Sequence, residues 1–130
     1  MKILIVEDEE SSRSVLTRFL APFGGCDFAA TGTEAIALFV AAHAAADPYS
    51  LLSLDLMLPD LSGHEVLRRI RAWESEHHIA SKLIVRVVVV SGLSDSQNVL
   101  EAFDEGCEAY VAKPVVREEL LRELKKIAVL

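Results

Sequence analysis

The stretch Leu51-Leu52-Ser53-Leu54-Asp55-Leu56-Met57-Leu58-Pro59-Asp60-Leu61-Ser62-Gly63 decides the fold of this chain. It begins as an apolar run that one carboxylate, Asp55, ends, and Pro59 and Gly63 then turn the chain. A short apolar run bounded by turn signals is typical of a strand buried in a parallel sheet. Because an unpaired carboxylate is costly to bury, we expect Asp55 at the carboxyl end of a central strand, where open α/β sheets form ligand crevices.

Strands and helices alternate on both sides of this stretch. The other strands are predicted over Lys2–Val6, Cys26–Ala30, Leu83–Ser91 and Ala109–Ala112. Apolar residues between them repeat at the three- and four-residue spacing of helices, and Thr33 is the predicted N-cap of the second helix. Five strands alternating with five helices predict an α/β fold of the flavodoxin-like doubly wound (βα)5 type. Its parallel five-stranded sheet has the order 2-1-3-4-5 and carries helices on both faces.

Length and composition indicate one globular domain over residues 1–130. Hydrophobic residues make up 52% of the chain and charged residues 25%. The net charge of −7 argues against direct nucleic-acid binding. No apolar run approaches the roughly 20 residues of a membrane span. Cys26 and Cys107 are too few for a disulfide framework or a zinc site, and we interpret them as small buried residues in a reducing cytoplasm.

Polar residues collect where the predicted strands end. Glu7 and Asp8 follow the first strand, Asp55 the third, Ser91 the fourth and Lys113 the fifth. Three carboxylates in one crevice repel one another unless a cation lies among them, and an all-oxygen site suits Mg²⁺. An aspartate nucleophile beside Mg²⁺, a hydroxyl and an ammonium group is typical of phosphoryl transfer.

Four segments, taken in order, resemble the receiver domains of two-component response regulators. They are Ile5–Glu9, Leu54–Gly63, Val90–Gly92 and Gly106–Pro114. The resemblance runs from the first strand to the last helix. It implies a cytoplasmic signalling protein rather than an enzyme acting on external substrates, with an intrinsic autophosphatase activity only.

The resemblance also implies a role for each site residue. Asp55 would accept a phosphoryl group from a sensor histidine kinase or a histidine phosphotransfer protein. Glu7, Asp8 and the backbone carbonyl of Met57 would hold Mg²⁺ together with Asp55. The Ser91 hydroxyl and the Lys113 ammonium group would bind the phosphoryl oxygens.

Two further features follow from the resemblance. Tyr110 matches the aromatic switch residue that turns inward as the Ser91 hydroxyl moves toward the phosphate, and the Lys113–Pro114 bond is expected to be cis. The surface formed by the fourth helix, fifth strand and fifth helix would then bind a target protein or a second copy of the chain. On that surface we expect Gln97, Glu101, Glu108, Arg117, Glu118, Arg122 and Lys125.

Two alternatives use the same sheet. A phosphorelay intermediate, passing phosphate from Asp55 to a second histidine protein, would have identical residues. A small Mg²⁺-dependent aspartyl phosphatase would have a second Asp where Met57 stands, and a cap insertion for which 130 residues leave no room. Since the chain ends at Leu130, directly after the fifth helix, we expect a stand-alone receiver without an output domain.

Two apolar residues indicate a slow loss of the phosphoryl group. Met57 lies two residues after Asp55, and Leu93 lies two residues after Ser91. In the resembling family these side chains flank the path of the hydrolytic water, and neither can orient it by hydrogen bonding. We therefore expect a phosphorylated form that persists for minutes rather than seconds.

Other polar residues are interpreted as structural. Asp60 is read as a turn residue after Pro59. Arg68, Arg69 and Arg71 are placed on the solvated face of the third helix. The fourth predicted helix carries the apolar residues Val99, Leu100 and Phe103.

Overall fold

A five-stranded parallel sheet forms the centre of the molecule, with the predicted strand order β2-β1-β3-β4-β5. The computed structural model describes all residues, 1–130. The strands are Lys2–Val6 (β1), Gly25–Ala29 (β2), Leu51–Leu54 (β3), Arg86–Ser91 (β4) and Ala109–Ala112 (β5). The predicted flavodoxin-like fold is thus confirmed, and β1 and β3 lie side by side at the centre of the sheet.

Five helices connect the strands. They are Glu10–Leu20 (α1), Gly32–Ala44 (α2), Gly63–Glu76 (α3), Ser96–Asp104 (α4) and Arg117–Lys126 (α5). Short 3₁₀ turns at Ala21–Phe23 and Ser81–Leu83 follow α1 and precede β4. No helix is both long and apolar enough to cross a bilayer.

The sheet has a hydrophobic core on each face because successive side chains of a strand point to opposite sides. In β1, Leu4 and Val6 belong to the core that α2, α3 and α4 cover. Ile3 and Ile5 belong to the core that α1 and α5 cover. All four side chains are essentially inaccessible to water, so β1 is fixed from both faces and its carboxyl end is held rigidly.

The start of β4 was predicted three residues too early. Leu83 belongs to the 3₁₀ turn and is exposed, whereas the strand begins at Arg86. The amide of Val85 donates to the carboxylate of Glu74 at 2.9 Å and not to a neighbouring strand. A β-branched run predicts a strand. Here the amide of Val85 is bonded to a side chain of α3, so the strand begins only at Arg86.

The N-cap of α2 was also assigned wrongly. Thr31, rather than Thr33, is the cap, and its hydroxyl accepts from the amide of Glu34 at 3.1 Å. Thr33 lies in the first turn, where its amide and hydroxyl donate to Asp60 at 2.9 and 2.5 Å. Asp60 also accepts from the amide of Gly32 at 2.8 Å, so this residue ties the loop after β3 to the start of α2.

Helix α4 leaves two of its large apolar residues exposed to solvent. Its one buried residue is Ala102, while Leu100 is 65% and Phe103 44% exposed. Two residues assigned to the surface of α4, β5 and α5 turn instead toward α3, since Glu101 lies near Arg68 and Glu108 pairs with Arg71. Helix α4 is therefore the helix with the fewest buried residues.

Arg71 is not on a solvated face. Its guanidinium donates to Glu74 and to the carbonyl of Val85, both at 2.8 Å. It also binds the carbonyl of Gly106 at 2.8 Å and the carboxylate of Glu108 at 2.9 Å. Arg71 thereby joins the end of α3 to the segments that precede β4 and β5.

Gly63 allows the loop after β3 to fold back beneath Asp55. Its amide donates to the carbonyl of Leu56 at 2.9 Å. A Cβ atom there would lie 2.3 Å from the carbonyl oxygen of Asp55 and 2.6 Å from Cα of Leu56. Both neighbours are backbone atoms, so neither can move aside without displacing the loop.

We predict that Gly63→Ala lowers the free energy of unfolding by about 3 kcal/mol, the upper part of the usual range for overpacking. The measurement is urea denaturation at equilibrium. Gly25→Ala is the matched control, because a Cβ atom at Gly25 meets nothing within 4 Å. Equal stabilities of the two variants would contradict this account of the loop.

Candidate functional site

Three carboxylates meet at the carboxyl end of the sheet, as the sequence predicted. Glu7 and Asp8 follow β1, and Asp55 follows β3. One oxygen from each lies within 4.8 Å of the other two. Glu7 is fully buried and Asp55 is 4% exposed, whereas Asp8 is exposed. The cluster thus has an enclosed side and a side that opens to solvent.

Lys113 joins the two buried carboxylates. Its ammonium group lies 2.6 Å from Oε2 of Glu7 and 3.0 Å from Oδ2 of Asp55. The residue follows β5, and the bond to Pro114 is cis, as predicted. One ammonium group faces three carboxylates, so the cluster keeps an excess of negative charge.

Burial and the neighbouring charges shift the pKa values of Glu7 and Lys113. Burial raises the pKa of Glu7 above its usual value, the hydrogen bond from Lys113 opposes that rise, and the charge of Asp55 adds to it. Burial acts against the charged form of Lys113, but the hydrogen bonds to Glu7 and Asp55, together with the charges of these two carboxylates, outweigh burial and raise the pKa of Lys113. The ammonium group is therefore held in its charged form.

Ser91 and Tyr110 lie next to this cluster on β4 and β5. Ser91 is fully buried, and its Oγ accepts from the amide of Leu93 at 3.2 Å. Tyr110 is half-buried, and its hydroxyl donates to the carbonyl of Leu93. Both side chains thus contact the same residue of the loop between β4 and α4, which couples them structurally.

Met57 contributes to the site through its backbone. Its amide donates to Oδ1 of Asp55 at 3.1 Å, so the two oxygens of Asp55 have different partners. The Met57 side chain is 60% exposed.

Arg13 was not recognised from the sequence. Its guanidinium donates to the backbone carbonyls of Glu7 and Asp8, both at 3.0 Å. It fixes the loop that presents the acidic pair. From the sequence alone, an arginine in the first turns of a polar helix cannot be distinguished from an arginine that points into solvent.

The donor set fits a hard divalent cation. Every candidate ligand is an oxygen, and Mg²⁺ prefers a few carboxylates with several waters. The open side at Asp8 leaves room for those waters. A bound cation would offset the charge that Lys113 leaves uncompensated.

We predict that Glu7→Gln stabilises the metal-free protein at neutral pH, because burial and the charge of Asp55 both act against the ionised form of Glu7. The variant removes a buried charge that lies beside Asp55. Saturating Mg²⁺ at about 100 times its Kd should stabilise the wild type by about 2.7 kcal/mol, and the variant by clearly less.

Urea denaturation in EDTA and in Mg²⁺ measures both effects. Glu10→Gln is the control, because Glu10 is exposed and lies outside the cluster. A loss of stability of Glu7→Gln in EDTA would contradict the electrostatic account of the site.

Comparison with known proteins gives consistent matches along nearly the whole chain. The family model described as the response regulator receiver domain matches residues 3–125. The regulatory protein VanRB of Enterococcus faecalis is 31% identical over 128 residues, which are 98% of this chain and 52% of that protein. The uncharacterized transcriptional regulatory protein YkoG of Bacillus subtilis is 37% identical over 124 residues, 95% of this chain and 49% of that protein. The chain therefore spans about half the length of these two relatives.

A solved structure agrees in fold. The crystal structure of the CheX-CheY-BeF3-Mg²⁺ complex from Borrelia burgdorferi superposes with a TM-score of 0.85. The match covers 100% of this chain and 90% of that chain, at 23% sequence identity. At this identity the likeness establishes the arrangement of the sheet and helices.

Proposed function

Because the chain belongs to the response regulator receiver domain family, we propose that it is a signalling switch phosphorylated on Asp55. The observation that carries the proposal is the convergence of Asp55, Lys113 and the Glu7/Asp8 pair at one end of the sheet. Receiver domains in general bind Mg²⁺, and the three carboxylates of this chain supply a suitable set of ligands.

In the proposed reaction, an oxygen of Asp55 attacks the phosphorus of a phosphohistidine on a partner kinase. An O–P bond forms, the P–N bond breaks, and the bonding electrons leave with the imidazole, which takes up a proton. Mg²⁺ would neutralise charge on the transferring oxygens. Lys113 pairs with a phosphoryl oxygen, and the Ser91 hydroxyl donates to another.

The donor is proposed to approach along α1. A groove beside α1 is lined by Ser11, Ser12, Val15, Lys113 and Pro114. A helix of a histidine-containing partner would bring its phosphohistidine to Asp55 along this path.

The output is proposed to pass through the loop between β4 and α4. When Ser91 turns its hydroxyl toward a phosphoryl oxygen, the bond from the Leu93 amide to its Oγ has to rearrange. Tyr110 is bonded to the same residue, so the change reaches β5 and α4. The exposed Leu100 and Phe103 then form an apolar patch for a target protein or a second copy of the chain.

We predict that acetyl phosphate or beryllofluoride forms an adduct with the wild type only when Mg²⁺ is present. Asp55→Asn should form none, since an amide oxygen is a poor nucleophile. Asp60→Asn is the matched control, because Asp60 is bonded to the start of α2. Mass spectrometry measures the phosphorylated form, and ¹⁹F NMR the beryllofluoride adduct. Continuous hydrolysis of an external phosphate ester would instead indicate a phosphatase.

We predict that Met57→Asn accelerates loss of the phosphoryl group by roughly tenfold, the effect of about 1.4 kcal/mol on the barrier. The amide would position a water that the thioether cannot. The decay of ³²P-labelled protein after removal of the donor gives the rate. Met57→Leu is the control and should decay like the wild type. An unchanged rate in Met57→Asn would show that this side chain does not limit hydrolysis.

A further inference from the structure

A second cluster of charged groups lies away from the phosphoacceptor, between α3 and α4. At its centre is His64, in the first turn of α3 and only 9% exposed. Its Nδ1 contacts the carboxylate of Glu105, which follows the last turn of α4. Its Nε2 lies 2.9 Å from Oδ1 of Asn98 in the first turn of α4. One imidazole therefore bridges the two helices at both ends of α4.

Both partners of the imidazole are hydrogen-bond acceptors. The Glu105 carboxylate has no proton to donate when it is ionised. The orientation of the Asn98 amide is fixed, because its Nδ2 donates to Oδ1 of Asp95 at 2.8 Å and leaves its oxygen toward His64. A neutral imidazole has a single N–H and would place a lone pair against one of these oxygens. Only the imidazolium form satisfies both contacts.

The surrounding charges agree with a protonated imidazole. On α3, Arg68 contacts Glu105 and Glu65, and Arg69 also binds Glu65. On α4, the carboxylate of Glu101 lies 3.8 Å from Nε2 of His64. Three carboxylates thus face two guanidinium groups, and a proton on His64 balances the charge of the cluster.

A proton suits this cluster better than a metal ion. One atom each of His64, Glu101 and Glu105 lies within 4.8 Å of the other two, but Glu105 and Glu101 approach different nitrogens of the ring. The guanidinium of Arg68 also occupies one oxygen of Glu105.

The surroundings of His64 also favour its protonated form, because they raise its pKa. Burial alone would lower its pKa, but the hydrogen bonds to Asn98 and Glu105 and the charges of Glu105 and Glu101 raise the pKa above its usual value. A basic group whose pKa is raised by folding stabilises the folded state fully when the pH is below the pKa that the group has in the unfolded chain. That stabilisation is lost as the pH rises through the folded-state pKa.

The cluster is connected to the phosphoacceptor site through the start of α4. Asp95 is the N-cap of this helix and accepts from the Asn98 amide at 3.2 Å. The short loop before it carries Leu93, which contacts both Ser91 and Tyr110. Because α4 buries only Ala102, its position depends more on such polar contacts than that of the other helices.

We propose that protonated His64 is a latch that holds α4 against α3 and thereby positions the loop next to Ser91, so that alkaline pH releases α4. His64 is in this sense a positioning residue. The latch itself follows from the cluster alone, whereas its effect on phosphorylation rests on the proposed function.

The first experiment follows the His64 ring by ¹H–¹⁵N NMR and the α4 amides by hydrogen exchange, from about pH 6 to about pH 9. Both ring nitrogens of His64 should carry protons at neutral pH. Once intrinsic exchange is corrected for, the α4 amides should exchange at least about tenfold faster when His64 loses its proton, the effect of losing one hydrogen bond to a charged group. Glu105→Gln should lower the pKa of His64 and move the onset of fast exchange to lower pH.

The variant His64→Gln separates the latch from general effects of pH. Glutamine cannot titrate, so exchange in α4 should lose its dependence on pH. The control His77→Gln changes an exposed histidine that follows α3, and it should behave like the wild type. A His64 that is neutral at pH 7, or a pH dependence that persists in His64→Gln, would overturn the proposal.

The last measurement tests the connection to the phosphoacceptor. The affinity for beryllofluoride in saturating Mg²⁺ should change with pH along the His64 titration in the wild type and in His77→Gln, and should lose that component in His64→Gln. An identical pH profile in all three proteins would overturn the coupling. Absence of an adduct at every pH would instead refute the proposed function and leave the NMR result to decide the latch.

Discussion

The structure depends on one ammonium group, that of Lys113, placed between two buried carboxylates. Glu7 and Asp55 are brought together by neighbouring parallel strands whose ends coincide. Two carboxylates at this depth destabilise the fold unless they are paired. Lys113 satisfies one oxygen of each and leaves the charge of Asp8 uncompensated. The site is therefore stable enough to fold and still attracts a cation, which a fully neutralised site would not.

The surroundings of this cluster hold its geometry by different means on each side. At the end of β1, the side chain of Arg13, a residue of α1, binds the carbonyls of the acidic pair. On β3, the loop closes through the Gly63 amide, and Asp60 anchors it to α2. These contacts are between polar groups at the end of the sheet, and they fix the two loops that carry Asp8 and Asp55.

The fold and the central site could be predicted because both depend on local patterns. Apolar runs, turn residues and polar residues at strand ends were sufficient to bring Asp55, Glu7 and Lys113 together. What the sequence did not reveal depends on contacts between distant residues. Arg71 was assigned to solvent because its helical periodicity is that of a surface residue, yet it binds Glu108 far along the chain. The bridge at His64 escaped prediction for the same reason.

Helix α4 differs from the other helices in what holds it. Its apolar residues Leu100 and Phe103 face solvent, and its buried contact is a single small side chain. Hydrophobic burial has no direction, whereas hydrogen bonds and ion pairs require particular geometries and charge states. A helix that is held mainly by hydrogen bonds and ion pairs can change position when one proton or one phosphoryl group is added. Segments with few buried apolar contacts are also the ones that open most easily. The weak packing of α4 is thus the physical condition on which both proposals depend: the switch through Ser91 and Tyr110 at one end of the helix, and the latch through His64 along its side.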